Sequence, residues 1–423
     1  MYALCDVSSM YASCEKVFDP KIRKKPVIVL TNNDGCVCAV CPIAKKMGVV
    51  KMFAPYYQVK EQLAAIGAVI RSSNYELYAD LSNKMMDVCA TFAPDIHVYS
   101  IDECFLSYNK TDNYLPKEGW NEHALAIRKA VWRNVRLPIG VGIANTPTLA
   151  KAANHAAKKL PGFAGVAVID TDKMRYRVLS QMKVNDVWRV GRKTAAKLNQ
   201  HGINTAWQLS KLNKAWARKV FSILLERTID ELNGVVRLNW DEVRPPKQEI
   251  YSTRSFGQRI DSKAELLQAL AFHAQIAAKK LRKQHSLARY LSVFAASSAH
   301  DEHGYYRQSV QHAFASATND SGTIVAACTA SAERIYRQGV RFYRCGVGLY
   351  DLIDQVHYQE DLFTPLDSRF ELMQCIDSVN DKFGSDTLFI ARRGNTAAFD
   401  MRRQFLSPQY TTRWRDLPRI KCC

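Results

Sequence analysis

The sequence predicts a multidomain α+β chain whose leading domain is a split-βαβ antiparallel sheet. Three observations predict it. At 423 residues the chain is too long for one ordinary domain, and two to four is the soft count. A hydrophobic fraction of 47% is that of a globular protein with ample cores. Apolar runs and amphipathic stretches follow one another as β-α-β-β-α-β, and they do so twice along the chain.

Taken in order, Met1–Val7 is an apolar strand with Asp6 near its end. Ser8-Ser9 supplies a hydroxyl N-cap for the helix that continues through Glu15. Pro26–Leu30 reads as a strand, Asn32–Gly35 as a turn, and Pro42–Gly48 as a short helix opened by proline and closed by glycine. This stretch, about 19–76, reads as a small inserted module. A long amphipathic helix follows from Tyr75 to Phe92, then short buried strands at Ile96–Ile101 and Cys104–Leu106. A helix at about 121–135, a strand at Ile139–Ile143 and a helix from Thr146 to Lys158 complete the unit. Without the insert the order is that of a split βαβ, with helices expected on one face of the sheet.

Asp102 and Glu103 sit between the two short strands, where a charge pair is costly unless something positive meets it. Neighbouring strand residues point to opposite faces, so the two converge only at a hairpin tip. In this topology the end of the first strand lies beside that hairpin, which brings Asp6 to the same place. Three carboxylates there would make a hard, oxygen-rich site able to hold two divalent ions about 4 Å apart, as phosphoryl-transfer enzymes do. An acid in a plain turn is the commoner fate of a single Asp, but the three together favour a site.

Residues 183–240 are helical and basic, with eleven Lys and Arg against four acids. Within them Val187-Trp188-Arg189-Val190-Gly191-Arg192-Lys193 forms a hydrophobic-x-Gly turn before a helix, which offers backbone N–H groups to a phosphate. A plain helical hairpin is the alternative, and the charge favours a clamp on duplex backbone. Arg244-Pro245-Pro246-Lys247 is a stiff basic linker. Beyond it come strands at 249–257, 289–297, 305–313 and 342–351, with helices at about 262–285 and 320–338. No paired acids occupy the second-to-third strand junction; instead Arg254, Arg259, Arg289, Arg307, Arg341 and Arg344 stud the strands. That pattern suits a second DNA-gripping domain, with solvated strand faces as the alternative. In residues 358–423, Gln359-Glu360-Asp361-Leu362-Phe363 is a short peptide of the kind that docks into a partner's groove.

The net charge of +19 points to a polyanionic partner, nucleic acid before an acidic membrane surface. No apolar run approaches the roughly 18 residues of a membrane span. No basic segment precedes the first apolar run, so no signal peptide is expected. The 12 cysteines include Cys5, Cys89 and Cys104 in apolar patterns, where reduced cysteine is a small core residue, and a cytosolic protein fits best. Cys36, Cys38 and Cys41 lack a matching second pair, so zinc is not favoured.

These residues carry a resemblance. Asp6-Val7 with Tyr11-Ala12, Ser100–Glu103, Gly142-Ile143-Ala144, Leu149-Ala150-Lys151 and Val190-Gly191-Arg192 resemble the Y-family of translesion DNA polymerases. Asn32–Val37, Ser73–Asp80, Ala153–Lys159, Arg254–Gly257 and Tyr410–Arg413 are similar to its UmuC branch, the catalytic subunits of bacterial DNA polymerase V. The resemblance runs along nearly the whole chain. It implies a palm over 1–182 with fingers inserted at about 19–76, and a helix-hairpin-helix thumb over 183–240. A little finger over 241–357 and a C-terminal tail over 358–423 follow. It implies an error-prone DNA-directed DNA polymerase of the SOS response, acting without proofreading, associated with the nucleoid. Asp6, Asp102 and Glu103, with the Val7 carbonyl, would hold two Mg²⁺ ions at the primer 3′-OH and the dNTP. Tyr11 matches the steric gate against a ribose 2′-OH; Lys45 and Lys151 match triphosphate-binding cations. Arg189, Gly191, Arg192, Lys193 and Arg254 would meet primer–template DNA. Gln359, Leu362 and Phe363 match a sliding-clamp motif, and a UmuD-type accessory dimer and a recombinase filament are implied partners. Met10 stands where the family usually has an aromatic, and Pro42 replaces a tyrosine that often helps hold the triphosphate. A DNA-bound scaffold without catalysis and a palm-type cyclase are the alternatives; primer extension, or turnover of NTP without DNA, separates them.

Overall fold

The computed structural model describes residues 1–109, 116–238, 246–301, 304–359, 369–395 and 401–417. The chain forms two compact units, Met1–Val243 with Arg403–Cys423, and Arg244–Arg402.

In the first unit β1 (Tyr2–Val7) leads into α1 (Met10–Phe18). Its N-cap is Ser9, in the left-handed region at φ 52°, and no side chain caps the helix. The expected hydroxyl cap is therefore absent; the Ser9 hydroxyl accepts from Lys45 instead. The inserted module then builds its own three-stranded sheet from β2 (Val27–Leu30), β3 (Val37–Val40) and β4 (Val69–Ser72), in the order β3-β2-β4. Short α2 (Pro42–Lys46) and α3 (Tyr56–Ala65) lie between its second and third strands. Strands β3 and β4 and helix α3 are too short or too weakly patterned for the sequence reading to have found them.

The chain returns through α4 (Tyr75–Ala90), which Asn74 caps by accepting from the Leu77 N–H. The hairpin β5 (Asp95–Val98) and β6 (Glu103–Ser107) follows, then α5 (Trp120–Val135), β7 (Ile139–Ala144), α6 (Pro147–Lys159) and β8 (Val166–Ile169). The sheet order is β5-β6-β1-β7-β8, with β1 antiparallel to both neighbours and β8 parallel to β7. The fifth strand was not expected from the sequence; Val166–Ile169 is a four-residue run with no alternation to mark it.

The expectation of helices on one face is also corrected. Along β1 the odd residues Ala3, Cys5 and Val7 join the core of α1, α4 and α5, while Tyr2 and Leu4 join a second core under α6. That helix can lie on the sheet because β7 has no side chain in its way. A Cβ at Gly142 would come within 2.1 Å of the Asn154 backbone nitrogen.

Helices α7 (Asp172–Gln181), α8 (Arg192–Gln200), α9 (Ala206–Ser210), α10 (Lys214–Val220) and α11 (Ile223–Leu232) continue the second core. In the second unit β9 (Glu249–Ile260), α12 (Lys263–Lys283), β10 (Ser286–Ala296), β11 (Arg307–Thr318), α13 (Ser321–Glu333) and β12 (Phe342–Asp354) repeat the split βαβ. Their strands stand in the order β11-β10-β12-β9. Helix α14 (Phe370–Phe383) packs here too: Arg282 of α12 forks onto Asp377 at 2.7 and 2.9 Å. Residues 403–417 belong instead to the first unit, so the 358–423 stretch is divided between the two. Arg244 and Pro245 of the basic linker at 244–247 lie outside the described residues.

Candidate active site

The site is made by register. Asp6 and Glu103 are direct partners across the antiparallel pair β1–β6, so their side chains leave the same face of the sheet. Like charges directly opposite destabilise a strand pair unless a cation meets them. Asp102 sits at the hairpin tip, tied in by the Val7 N–H donating to its carbonyl at 2.9 Å and by the Ser100 hydroxyl donating to its carboxylate. The three acids expected from the sequence therefore meet at one sheet end, beside Val7, the last residue of β1.

Helix α6 supplies the countercharge. Lys151 Nζ lies 2.8 and 2.7 Å from the two Glu103 oxygens, and Lys158 Nζ lies 2.6 Å from Asp6. Between them the Asn154 amide donates to the Leu4 and Gly140 carbonyls at 3.2 and 2.8 Å, fixing the helix on the strands. The Lys151 ammonium also lies 4.8 Å from the centre of the Tyr99 ring and 5.3 Å from that of Trp188, which holds it in place. Burial pushes the Asp6 and Glu103 carboxyls above their ordinary values, while Lys158 and Lys151 respectively pull them back.

The donor set is of the type that suits divalent cations: carboxylates only, partly buried. Among the described residues, the one trio of potential ligands whose atoms all lie within 4.8 Å is Cys5, Cys89 and Cys104. Those thiols are buried in the core on the other face of the sheet, as expected of small core residues.

Tyr11, on the first turn of α1, stacks on Tyr78 with centroids 4.6 Å apart and meets Tyr75 edge-on at 6.1 Å. Burial, then Tyr75, pushes its phenol up to about 12. Lys45 reaches from α2 to donate to the Ser9 hydroxyl at 3.0 Å, at the start of α1 two residues before Tyr11. Met10 is buried in the core beside the Cys14 thiol, and Pro42 serves as the first residue of α2. Lys158 was missed as a site residue in the sequence. Its spacing, two helical turns after Lys151, puts it on the same helix face, but the sequence does not say which face meets the sheet.

Farther out, Gly191 is the N-cap of α8 with Arg192 and Lys193 opening the helix, and Arg189, at φ 70°, stacks its guanidinium 4.7 Å from the centre of the Trp188 ring. In the second unit Arg254 lies 5.9 Å from the Phe272 ring, while Arg259 is tied to Asp301 at 2.9 Å. Gln359 is exposed; Leu362 and Phe363 lie outside the described residues.

Comparison with known proteins decides the family. The model of the impB/mucB/samB family matches residues 5–155, and that of its C-terminal domain matches 247–362. The chain belongs to the impB/mucB/samB family, the UmuC branch of the Y-family polymerases. It is 41% identical to Protein UmuC of Salmonella typhimurium over the full length of both, and 38% identical to Protein MucB of Escherichia coli over 99% of each. A domain of unknown function, DUF4113, matches residues 371–420. A solved Y-family DNA polymerase chimera of Dbh and Dpo4 shares the fold, with a TM-score of 0.61 and 19% identity over 83% of this chain and 99% of that one. No described helix is long and apolar enough to cross a membrane.

Proposed function

We propose that this chain, a DNA-directed DNA polymerase for error-prone translesion synthesis in the SOS response, adds dNTPs to a primer 3′-OH with two Mg²⁺ ions held by Asp6, Asp102, Glu103 and the Val7 carbonyl. The observation that carries this is the convergence of the three acids: Asp6 faces Glu103 across β1–β6, and the Asp102 backbone is bonded to Val7. Bound ions would make the 3′-OH a better nucleophile and offset the charge of the triphosphate and departing pyrophosphate.

The chain's own residues orient and discriminate. Lys151 and Lys158 already neutralise the carboxylates, and Lys151, once freed from Glu103, would meet the triphosphate together with Lys45. The Tyr11 ring would fill the space a ribose 2′-OH needs. Arg189, Arg192, Lys193 and the Gly191 turn of the thumb (183–240), and Arg254 of the little finger (241–357), would grip primer–template backbone. The palm would span 1–182 and the fingers about 19–76. Gln359, Leu362 and Phe363 would dock a sliding clamp, with a UmuD-type dimer and a recombinase filament as further partners of a cytoplasmic, nucleoid-associated enzyme.

Primer extension by Asp6→Asn and Asp102→Asn tests the reading. Each should lose on the order of 10³-fold or more in rate, the scale of metal-ion stabilisation, while keeping primer–template affinity. Persistent Mg²⁺-dependent extension by either variant would refute it.

A further inference from the structure

Residues 403–417 are a strap, stitched across α1, the inserted module and α4. The Phe405 carbonyl accepts from the Ser72 N–H at 3.0 Å, and the Phe405 N–H donates back to the Ser72 hydroxyl at 2.9 Å. The Gln404 N–H donates to Asp34, Arg403 pairs with Glu76, and Tyr410 stacks on Phe18 at 5.0 Å. Asn74, the cap of α4, donates to the Ser407 carbonyl at 3.1 Å and to its hydroxyl at 2.9 Å.

The Ser407 hydroxyl passes that bond on. It donates to Glu15 Oε1 at 3.0 Å, and the Tyr78 hydroxyl donates to the same oxygen at 2.6 Å. Glu15 is 2% exposed, Tyr78 0% and Ser407 5%, so water does not substitute for any of them. Glu15 and Tyr11 both sit on α1, and Tyr78 carries Tyr11 on its ring face. A continuous chain of contacts therefore runs from the strap to the ring that faces the incoming sugar.

We propose that the strap is part of the sugar-selecting apparatus: Ser407, through Glu15 and Tyr78, fixes the ring of Tyr11 against a ribose. Ser407, Glu15 and Tyr78 are positioning residues, and the inference rests on Tyr11 being the gate. A loosened Tyr78 lets the Tyr11 ring tilt, and a tilted ring admits a 2′-hydroxyl more readily than it slows a deoxynucleotide.

The test is single-nucleotide extension of a primer–template by the full chain, comparing ATP with dATP opposite thymine. Tyr11→Ala should raise the ribonucleotide share strongly. Ser407→Ala should raise it on the order of 2- to 10-fold, the range one hydrogen bond commands; Tyr78→Phe, which keeps the ring, should do the same. Ser407→Thr, which keeps the hydroxyl, should restore selectivity. If Ser407→Ala and Tyr78→Phe reduce both nucleotides equally, or leave the ratio unchanged while Tyr11→Ala shifts it, the strap merely supports the fold and the inference fails. If Tyr11→Ala itself leaves the ratio unchanged, the gate assignment fails, and the inference with it.

Discussion

Lys151 and Lys158 divide the labour of one helix face, each ammonium meeting a different acid of the β1–β6 pair. Removing Lys158 leaves Asp6 opposite Glu103 with only Lys151 to offset them. Lys158→Met should therefore cost about 1–2 kcal/mol in stability without divalent ions, modest because both partners are partly exposed. Added Mg²⁺ should raise the melting temperature of this variant more than that of the parent, since the ion would replace the missing charge. Equal shifts in the two proteins would count against metal binding at Asp6. The acids themselves were legible in the sequence because charge inside an apolar strand stands out. Lys158 was not, since a lysine on an amphipathic helix looks alike whether it faces water or a carboxylate, and only the sheet beneath decides.

At the level of elements, two glycines make opposite predictions. Gly142→Ala would drive a methyl into the α6 backbone, 2.1 Å from the Asn154 nitrogen and 2.5 Å from the Ala150 carbonyl oxygen. The helix would have to lift, at about 1–3 kcal/mol, taking both lysines with it, so activity should fall with stability. Gly191→Ala meets nothing within 4 Å and keeps the backbone N–H, so melting temperature and DNA affinity should both stay near parent values. In the second unit α12 buries His273 against the Ser252 hydroxyl, 2.9 Å away. Burial, with Arg254 and Lys280 nearby, pushes its pKa from 6.5 down to about 3. Below about pH 6.5 the unfolded chain takes up a proton that the folded unit refuses. Stability should fall as pH drops through that window, by at most about 1.4 kcal/mol per pH unit; melting curves of His273→Gln should show a flatter dependence. The split-βαβ order was readable twice from apolar runs, whereas the short strands β3, β4 and β8 were not.

For the whole molecule, the +19 charge makes DNA affinity steeply dependent on salt. Arg192→Ala and Arg254→Ala should each reduce the slope of log affinity against log salt by about 1. Arg259→Ala should change it less, because Asp301 already holds that guanidinium. Titrations at several ionic strengths would check both. The division of the last sixty residues between the two units had no local sequence signal, since its contacts join residues such as Asn74 and Ser407, 333 positions apart.

That separation has a consequence for synthesis on the ribosome. The amino-terminal half emerges with Asn74, Glu15 and Asp34 lacking the partners that Ser407 and Gln404 supply. At about 5–20 residues per second, those partners arrive on the order of half a minute later. A nascent or prematurely terminated chain thus carries all three carboxylates while Asn74, Glu15 and Asp34 still await the bonds that the last stretch of chain brings.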